Sequence, residues 1–457
     1  MRSAVAPAVD AAAPPRGAAG PSEPGTRPGS GSGPLAAPRP PLWAVPVAVG
    51  AALRALHWAL VNPDWVPRSD ARQYVELARS LAAGDGLSST FPGGVAHATA
   101  FRPPLYPALL AVPTRIAGPD ALWPGRALSL VLGLVVIALT VTYARRIAGD
   151  RAGLVAGLAV AVAPALVAND TVTVSEPLGL LLLLGILLAL LDDRWALAGA
   201  LSGLLLLARP NAALVVVVVA VVLWRAVGWR RAAAAVGVCL LVVAPWAVRN
   251  AVQVGTPRLV TSDGFTLAAL YGPPAIESGL FEDPTGDPWY ERHGVRELER
   301  DEAAWSDRLV DLGVDGMRSN PDAVLRRAVD GAATMLELPG HRAVEAEYVD
   351  GRDPAFRDAT LVLFPILVAA GLAGTVLRRR DRRTWPAIAI VGTLVALSLV
   401  TVSVPRLRGP FDLLMCVGVG YLAAWLHERR AGAAGPPPGD AEVGPSGPRG
   451  RGATCDA

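Results

Sequence analysis

The chain has 457 residues, 52% of them hydrophobic, and the apolar residues are concentrated in long blocks between positions 41 and 430. Runs such as 178–191 and 214–223 have no polar face, so helices built from them are satisfied only in a bilayer. The net charge of +3 is small, and the arginines are spread over many connections rather than forming a patch for nucleic acid. Composition therefore excludes a soluble globular protein and predicts a polytopic membrane protein.

The residue composition also gives predictions about the two termini, the cysteines and the source of the protein. Residues 1–40 and 431–457 are rich in Pro, Gly, Ala and Ser, which predicts disordered tails at both ends. The first apolar block lacks a small-residue cleavage site and is read as a retained helix. The three cysteines give neither a disulfide framework nor a metal-spaced pair. Arginine without lysine, with abundant Ala, Gly and Pro, suggests a bacterial protein.

Apolar periodicity predicts an all-α protein with about ten transmembrane helices. Several segments are shorter than the ~20 residues that a perpendicular span needs. A further apolar stretch, 104–116, is short and rich in proline, and we predict an interfacial or re-entrant segment there. The predicted spans are 42–61, 122–144, 152–168, 177–191, 195–208, 211–226, 232–248, 359–377, 385–404 and 411–427.

Arginine placement predicts the orientation. Arginine-rich connections at 145–151, 194, 225–231, 378–383 and 429–430 all fall on one side of a ten-span topology, together with both termini. The positive-inside rule assigns that side to the cytoplasm of a bacterial plasma membrane. Two loops then face outward, at 62–121 and at 250–358. The remaining parts are a transmembrane module at 41–249, C-terminal transmembrane helices at 359–430, and cytoplasmic tails at 1–40 and 431–457.

The first outward loop contains a short amphipathic helix with an acid in its first turn. Tyr74, Leu77, Ala78 and Leu81 follow helical spacing, and Gly84 is placed to end the helix. Asp70 is either a helix cap, worth ~1 kcal/mol, or a catalytic acid just above the membrane. In the large loop, 322–336 is also amphipathic, which favours packing at the bilayer over a lid above a site.

Other charged residues lie where predicted spans begin or end. Glu176 precedes Pro177 at a helix start, so it either complements the helix dipole or faces Asp70 across an outward cavity. Outward arginines are suited to a lipid-borne phosphate, although interfacial snorkelling explains each one alone. Arg54 differs because it lies inside the first span, where a charge needs a partner or a wet cavity. The outward arginines are Arg102, Arg209, Arg249, Arg406 and Arg408.

Taken in order, these motifs resemble the bacterial GT-C glycosyltransferases, and specifically their family-39-like branch. That branch is related to protein O-mannosyltransferases and to the lipid A aminoarabinose transferase. The resemblance covers roughly residues 43–427. It rests on the loop helix from Asp70 to Gly84, on Arg-Pro-Pro-Leu-Tyr-Pro at 102–107, and on the short motifs at 175–177, 207–210, 245–250 and 406–410.

The resemblance implies a GT-C-like helical bundle that transfers a hexosyl or pentosyl group from a polyprenyl-phosphate carrier. The acceptor would be an extracytoplasmic hydroxyl on protein, lipid or glycan, and the other partners would be membrane lipids. Asp70 matches the loop-one acid and is expected to act as general base, with Glu176 as second acid. Ala71 stands where protein mannosyltransferases carry another acid, which weakens the case for a protein acceptor. No cofactor or metal site is implied, although Glu176 leaves a divalent metal open.

The remaining candidate residues fall into two groups. The first group is expected to bind the donor phosphate and consists of Arg102, Arg209, Arg406 and Arg408. The second group is expected to contact substrate and consists of Tyr74, Arg54, Tyr106 and Arg249.

Two other classes of function compete with the transferase. A secondary transporter would place charges near the midplane on broken helices, and Arg54 is the feature that favours it. A non-catalytic subunit of envelope assembly would depend on the large loop at 250–358 rather than on Asp70. A cavity that opens inward around Arg54 would favour transport, whereas a pocket roofed by the loop helix would favour the enzyme.

Overall fold

A computed structural model describes residues 41–338 and 352–433 of the chain. The predicted tails at 1–40 and beyond residue 433 lie outside the described residues, as do positions 339–351 of the large loop. Residues 431–433, which the sequence assigned to the C-terminal tail, continue the last helix.

The described chain is almost entirely helical, as the long apolar blocks require, because a helix satisfies its own backbone groups in lipid. A π-helical turn, His57–Val61, continues α1, and 3₁₀ turns occur at Pro210–Ala212, Arg296–Arg300 and Pro405–Arg408. Two short antiparallel strands, β1 (Ser88–Ser89) and β2 (His97–Ala98), pair in the first outward loop. The helices are α1 (Ala44–Leu56), α2 (Ser69–Ala83), α3 (Leu105–Ala117), α4 (Trp123–Val162), α5 (Pro164–Asn169), α6 (Glu176–Leu191), α7 (Trp195–Ala208), α8 (Ala213–Val227), α9 (Trp229–Gln253), α10 (Ser262–Tyr271), α11 (Pro273–Ser278), α12 (Pro288–Arg292), α13 (Glu302–Ser319), α14 (Pro321–Met335), α15 (Pro354–Thr360), α16 (Leu363–Leu377), α17 (Trp385–Val400) and α18 (Gly409–Ala433).

Each of the ten segments predicted as a span is helical, and the protein is an all-α multi-pass membrane protein. Within the described residues, five helices are long and apolar enough to cross a membrane, and α15 with α16 adds a sixth if this pair, bent by 51°, is one span. Helices α6, α7 and α17 are apolar but shorter, and they occupy three more of the predicted spans. The stretch at 104–116 forms the short apolar helix α3.

Helix α4 contains two of the predicted spans. Its 40 residues would extend ~60 Å if straight, about twice the thickness of the hydrocarbon core. The helix is broken at Ala148 and Gly149, where Gly149 has φ 84°. Gly153 then lies so close to Val141 that a Cβ at position 153 would be 2.7 Å from the Val141 carbonyl oxygen. The chain therefore reverses at residues 148–149, and the two halves pack as an antiparallel pair.

Glycines allow the C-terminal helices to approach closely. A Cβ on Gly374 would lie 1.8 Å from the Gly418 carbonyl oxygen, so only glycine fits where α16 crosses α18. Small residues at such crossings are the usual means by which membrane helices gain packing energy. This contact packs α16 against the middle of α18, which follows the 3₁₀ turn Pro405–Arg408.

The loops at 62–121 and 250–358, which the arginine pattern predicts to face outward, share a small aromatic core. Phe101 of the first loop and Trp305 and Tyr290 of the large loop are buried together, with Phe91 and Phe265 packed against them. The Phe91 and Phe101 rings are 4.7 Å apart in an edge-to-face arrangement, which is favourable for aromatic pairs. The large loop is therefore a helical layer packed on the first loop.

Several of the arginine-rich connections meet at one end of the bundle. Arg146 forms an ion pair with Asp192, and Arg383 donates a hydrogen bond of 3.4 Å to the Arg146 carbonyl. Arg378 also pairs with Glu428 at 2.9 Å. Connections that the topology assigns to one side therefore do lie together. Their assignment to the cytoplasm stays a prediction from the positive-inside rule.

Candidate active site

The loop helix α2 positions the first acid. The helix spans Ser69–Ala83 and ends at Gly84, which adopts the left-handed conformation (φ 96°) that the sequence pattern requires. No side chain caps its N-terminus, and Ser69 itself has φ 46°. The Asp70 carboxylate is therefore not a helix cap, and it turns instead toward two arginines.

Both oxygens of the Asp70 carboxylate are engaged by guanidinium groups. Arg102 Nη2 lies 2.5 Å from Oδ1, and Arg406 Nη2 lies 2.7 Å from Oδ2. Arg102 also donates its Nε–H to Oε1 of Gln73, which is one turn along α2. The Asp70 side chain keeps 23% of its surface exposed, so the acid is held firmly and still has access to solvent.

Glu176 brings the second acid to the same place. It begins α6, with Pro177 in the first turn, and it is 6% exposed. Its Oε1 lies 3.1 Å from Arg406 Nε and 3.2 Å from Arg209 Nη1. Arg406 therefore contacts both carboxylates, one from each of two loops 106 residues apart. The sequence hypothesis that Glu176 faces Asp70 thus agrees with the geometry, although an arginine lies between the two acids.

These five residues, Asp70, Glu176, Arg102, Arg209 and Arg406, are called the acid–arginine cluster below. Three guanidinium groups face two carboxylates, so the cluster has one excess positive charge. Burial alone would raise the pKa of Asp70, but the neighbouring Arg102 and Arg406 outweigh it and hold the pKa well below its usual range. The excess charge suits an anionic ligand, and planar guanidinium groups suit phosphate oxygens.

Two tyrosines from the candidate list pack beside the cluster. The Tyr74 hydroxyl is 3.2 Å from Ser175 Oγ, next to Glu176, and the Arg102 guanidinium lies 6.0 Å from the Tyr74 ring centroid. Tyr106 is fully buried, with its ring 5.0 Å from Tyr74 and its hydroxyl 3.2 Å from Ser129 Oγ. Tyr74 therefore borders the cluster, whereas Tyr106 supports Tyr74 from behind.

Arg54 lies elsewhere, buried inside α1. Its Nε and Nη2 are 2.7 and 2.6 Å from Oδ2 of Asp170, and its Nη1 donates to the carbonyls of Gly50 and Ala161. The partner that the sequence demanded for this charge is therefore a second buried acid. Because Asp170 lies in the connection that leads to Glu176, the pair anchors that connection rather than contacting the cluster.

Arg408 is also separate from the cluster, although it follows Arg406 by two residues. It is 3% exposed and pairs with Asp412 at 2.9 Å and with Glu337 at 3.0 Å, while Phe364 packs 3.7 Å from its guanidinium. Expected to bind phosphate, Arg408 instead joins α18 to the end of the large loop.

Arg249 has a similar tethering position. It donates hydrogen bonds to the carbonyls of Thr99 at 2.7 Å and Leu87 at 2.9 Å, and its guanidinium lies 4.9 Å from the Trp246 ring centroid. It therefore ties α9 to the first outward loop around β1 and β2.

His97 joins the loop at 62–121 to the loop at 250–358. Its Nε2 is 3.1 Å from Glu302 Oε2, and Glu302 Oε1 accepts hydrogen bonds from the Ala100 N–H and the Thr261 hydroxyl. The hydrogen bond to Glu302 raises the pKa of His97 above its ordinary value. Glu302 was not singled out, because nothing in the local sequence pairs it with a residue 205 positions earlier.

A cavity of about 290 Å³ lies immediately before the loop helix. Asp70 and Glu176 are not among the residues that line it, although Arg68 is only two positions from Asp70. A pocket roofed by α2 and reached by Glu176 would favour the enzyme over a transporter, whereas this cavity lies at the N-terminal end of α2. Its lining is Val61, Asn62, Pro63, Asp64, Trp65, Val66, Arg68, Arg352 and Asp353.

Potential metal ligands are sparse in the described ranges 41–338 and 352–433, where no three His, Cys, Asp or Glu side chains are grouped as a metal site would need. Asp70 and Glu176 form at most a pair, and Arg406 lies between them.

Comparison with known protein families gives a match to the central part of the chain. Residues 101–248 match the family model described as dolichyl-phosphate-mannose-protein mannosyltransferase. This match confirms the resemblance to the family-39-like GT-C branch, and it includes Arg102, Tyr106, Glu176 and Arg209. No curated protein sequence matches the chain.

Two solved structures match this chain over most of its length. Oligosaccharyltransferase AglB from Archaeoglobus fulgidus, in complex with an inhibitory peptide and a dolichol-phosphate, is 16% identical with a TM-score of 0.48 over 86% of this chain and 51% of that one. ArnT from Cupriavidus metallidurans, bound to undecaprenyl phosphate, is 16% identical with a TM-score of 0.40 over 85% of this chain and 78% of that one. The present chain thus spans about half the length of the archaeal enzyme.

Proposed function

Proceeding from a central segment of the family-39-like GT-C type, we propose that this protein is a membrane glycosyltransferase. It takes a sugar from a polyprenyl-phosphate carrier and transfers it to an acceptor hydroxyl on the extracytoplasmic side. The observation that carries the proposal is the contact of Arg406 with both Asp70 and Glu176. That arrangement joins a candidate base to a phosphate-binding charge.

The donor phosphate enters where the guanidinium groups converge. Arg102, Arg209 and Arg406 each pair with a carboxylate, and a phosphate offers them stronger, bidentate acceptors. Their excess positive charge then stabilises the charge that gathers on the departing phosphate. The polyprenyl tail remains in the surrounding lipid.

The same movement prepares Asp70 to act as a base. Arg102 and Arg406 hold the pKa of this carboxyl low, which makes it a weak proton acceptor while it is paired with them. When the two guanidinium groups turn toward phosphate, the pKa of Asp70 rises toward its ordinary value. Donor binding and base activation are therefore linked through the two arginines.

The reaction is a single displacement. Asp70 accepts the proton of the acceptor hydroxyl while the oxygen attacks the anomeric carbon, and the carbon–oxygen bond to phosphate breaks with its electron pair leaving on polyprenyl phosphate. Configuration at the anomeric carbon is inverted. A phosphate leaving group needs no protonation, so one carboxylate suffices where a glycosidase uses two. Glu176 holds Arg209 and Arg406 in position and can orient a substrate hydroxyl.

Replacement of Asp70 by Asn tests the proposal. The substitution keeps the shape of the side chain and removes the base, so transfer of a radiolabelled sugar from its polyprenyl phosphate should fall by about 10²–10⁴-fold. Donor binding should persist, because the arginines remain. A purified, monodisperse Asp70→Asn protein that transfers sugar at the wild-type rate would remove Asp70 from the reaction.

A further inference from the structure

The cavity before α2 has the chemical lining of a carbohydrate site. Trp65, with Val61 and Val66, offers an apolar surface, while Asn62 and Asp64 carry planar amide and carboxylate groups that can bond adjacent hydroxyls. Few convergent polar groups beside an aromatic surface are typical of small-molecule sites.

The volume and the charge of the cavity restrict the kind of ligand that it can hold. At about 290 Å³, the cavity is at the lower end of ligand pockets, so it suits one sugar ring rather than a polyprenyl chain or a protein segment. Arg68 and Arg352 are balanced by Asp64 and Asp353, so the lining has no excess charge. A neutral polyol fits such a lining better than a phosphate does.

The wall of the cavity is held by a buried arginine. Arg126, 4% exposed, donates hydrogen bonds to the carbonyls of Asn62 at 2.7 Å, Pro63 at 3.3 Å and Thr171 at 2.8 Å. Its guanidinium also lies 6.0 Å from the Trp65 ring centroid. The segment that presents Asn62, Asp64 and Trp65 is therefore fixed to the bundle before any ligand arrives.

The cavity is joined to the acid–arginine cluster through the backbone. Arg68 lines it and is two residues from Asp70, so their Cα atoms are within about 7.6 Å. Ser69, between them, has φ 46°, a conformation that non-glycine residues adopt at some cost and that is concentrated at functional sites. This turn directs the residues on either side of it to the cavity and to the cluster.

The opposite wall is also connected to the cluster. Arg352 bonds Glu337 at 2.7 Å, and Glu337 pairs with Arg408, two residues after Arg406. Both sides of the cavity are thus braced by the segments that carry Asp70 and Arg406.

We propose that this cavity binds a pyranose ring of the acceptor, so that the acceptor of the reaction is a glycan or a glycosylated molecule. The inference rests on the proposed transferase function. A sugar ring seated against Trp65, with its hydroxyls on Asn62 and Asp64, would present a neighbouring hydroxyl toward Asp70.

Direct binding to the full chain tests this without any donor or turnover. The protein in nanodiscs is titrated with a panel of methyl pyranosides by saturation-transfer NMR, with inorganic phosphate as competitor. The variants are Asp64→Asn and Trp65→Ala, and the matched control is Asp120→Asn, an exposed acid elsewhere in the same loop. Asp64 is exposed, so its amide variant retains the fold even if Trp65→Ala does not.

We expect saturable binding of at least one pyranoside, about a five- to tenfold weaker affinity for Asp64→Asn, and no change for Asp120→Asn. The proposal is overturned if no pyranoside binds, if Asp64→Asn binds like wild type, if the control loses affinity equally, or if phosphate displaces the sugar. The transferase proposal is tested by a different measurement, the transfer activity of Asp70→Asn, so the failure of one proposal can be distinguished from the failure of the other.

Discussion

Arg406 is the residue on which the two acids of the site depend. Its Nη2 is 2.7 Å from Asp70 and its Nε is 3.1 Å from Glu176, with only 12% of its side chain exposed. Lysine at this position keeps the charge but has one compact ammonium group, so it cannot face both carboxylates and a phosphate together. Arg406→Lys therefore separates charge from geometry, whereas Arg406→Gln removes both.

The magnitude follows from the electrostatics of the cluster. Two unit charges about 4 Å apart interact by roughly 4 kcal/mol at an effective dielectric constant of about 20. Solvent reaches part of the cluster and weakens this interaction. Removal of one preorganised hydrogen-bond donor typically raises the activation free energy by about 3–4 kcal/mol. We expect Arg406→Gln to reduce kcat by about 10²–10³-fold and Arg406→Lys by about 10–100-fold.

The assay is transfer from polyprenyl-phosphate sugar, with kcat measured at saturating donor and kcat/KM followed over a range of pH, because kcat/KM reports the pKa of Asp70 in the free enzyme. Losing the guanidinium raises the pKa of Asp70, so activity that is lost as pH falls through that pKa should disappear at a higher pH in Arg406→Gln. Arg326→Lys is the matched control, because Arg326 also pairs with an acid but lies 66% exposed on α14. Wild-type kcat in Arg406→Lys, or an unmoved acid limb in Arg406→Gln, would refute the reasoning.

Two further predictions concern the supports of the site. Arg54→Met leaves the Asp170 carboxylate buried without its partner and should lower the free energy of unfolding by about 3–5 kcal/mol, seen as a lower Tm in detergent. The double variant with Asp170→Leu should recover much of this loss. Equal Tm values for the single variant and wild type would contradict the prediction. The His97 tie to Glu302 raises the pKa of His97, so its stabilisation is full below the unfolded pKa of about 6.5 and is lost as pH rises through the folded pKa. His97→Gln should therefore reduce the Tm at pH 5.5 more than at pH 8.5, and a uniform reduction would show that the tie is not ionic.

The helical segments could be predicted from the sequence because the hydropathy pattern determines where they lie. The lipid admits few alternatives to a helix, and the predicted segment 195–208 coincides with α7. The reversal inside α4 was also predicted, since Gly149 and the charged residues around it interrupt the apolar run. The lengths of the short spans were less certain, because tilting and packing against neighbours decide them.

The site was predicted in part. Asp70, Glu176, Arg102, Arg209 and Arg406 were all chosen from sequence, because charges at the outward ends of apolar helices are few. That Glu176 faces Asp70 was also expected, but the individual ion pairs through Arg406 were not predicted, since those contacts depend on how distant loops fold onto each other. Gln73, which contacts Arg102, could also have been chosen from the sequence, because it lies one helical turn from Asp70.

Arg408 and Arg54 show why the rest could not be predicted. Each has the position of a phosphate-binding or functional arginine in sequence, and each is engaged by a buried acid instead. Asp170 is 116 residues from Arg54, and no local pattern announces that pairing. Whether a charge is used for structure or for a ligand is decided by tertiary packing.

The central claim is that guanidinium groups release Asp70 when they receive the donor phosphate. A structure of the protein with bound polyprenyl phosphate measures this directly. We predict a phosphate oxygen within about 3 Å of Arg406 and of Arg102 or Arg209, with the distance from Arg406 to Asp70 longer than the present 2.7 Å. A phosphate bound away from these arginines, or an Asp70–Arg406 pair unchanged by the lipid, would contradict the account.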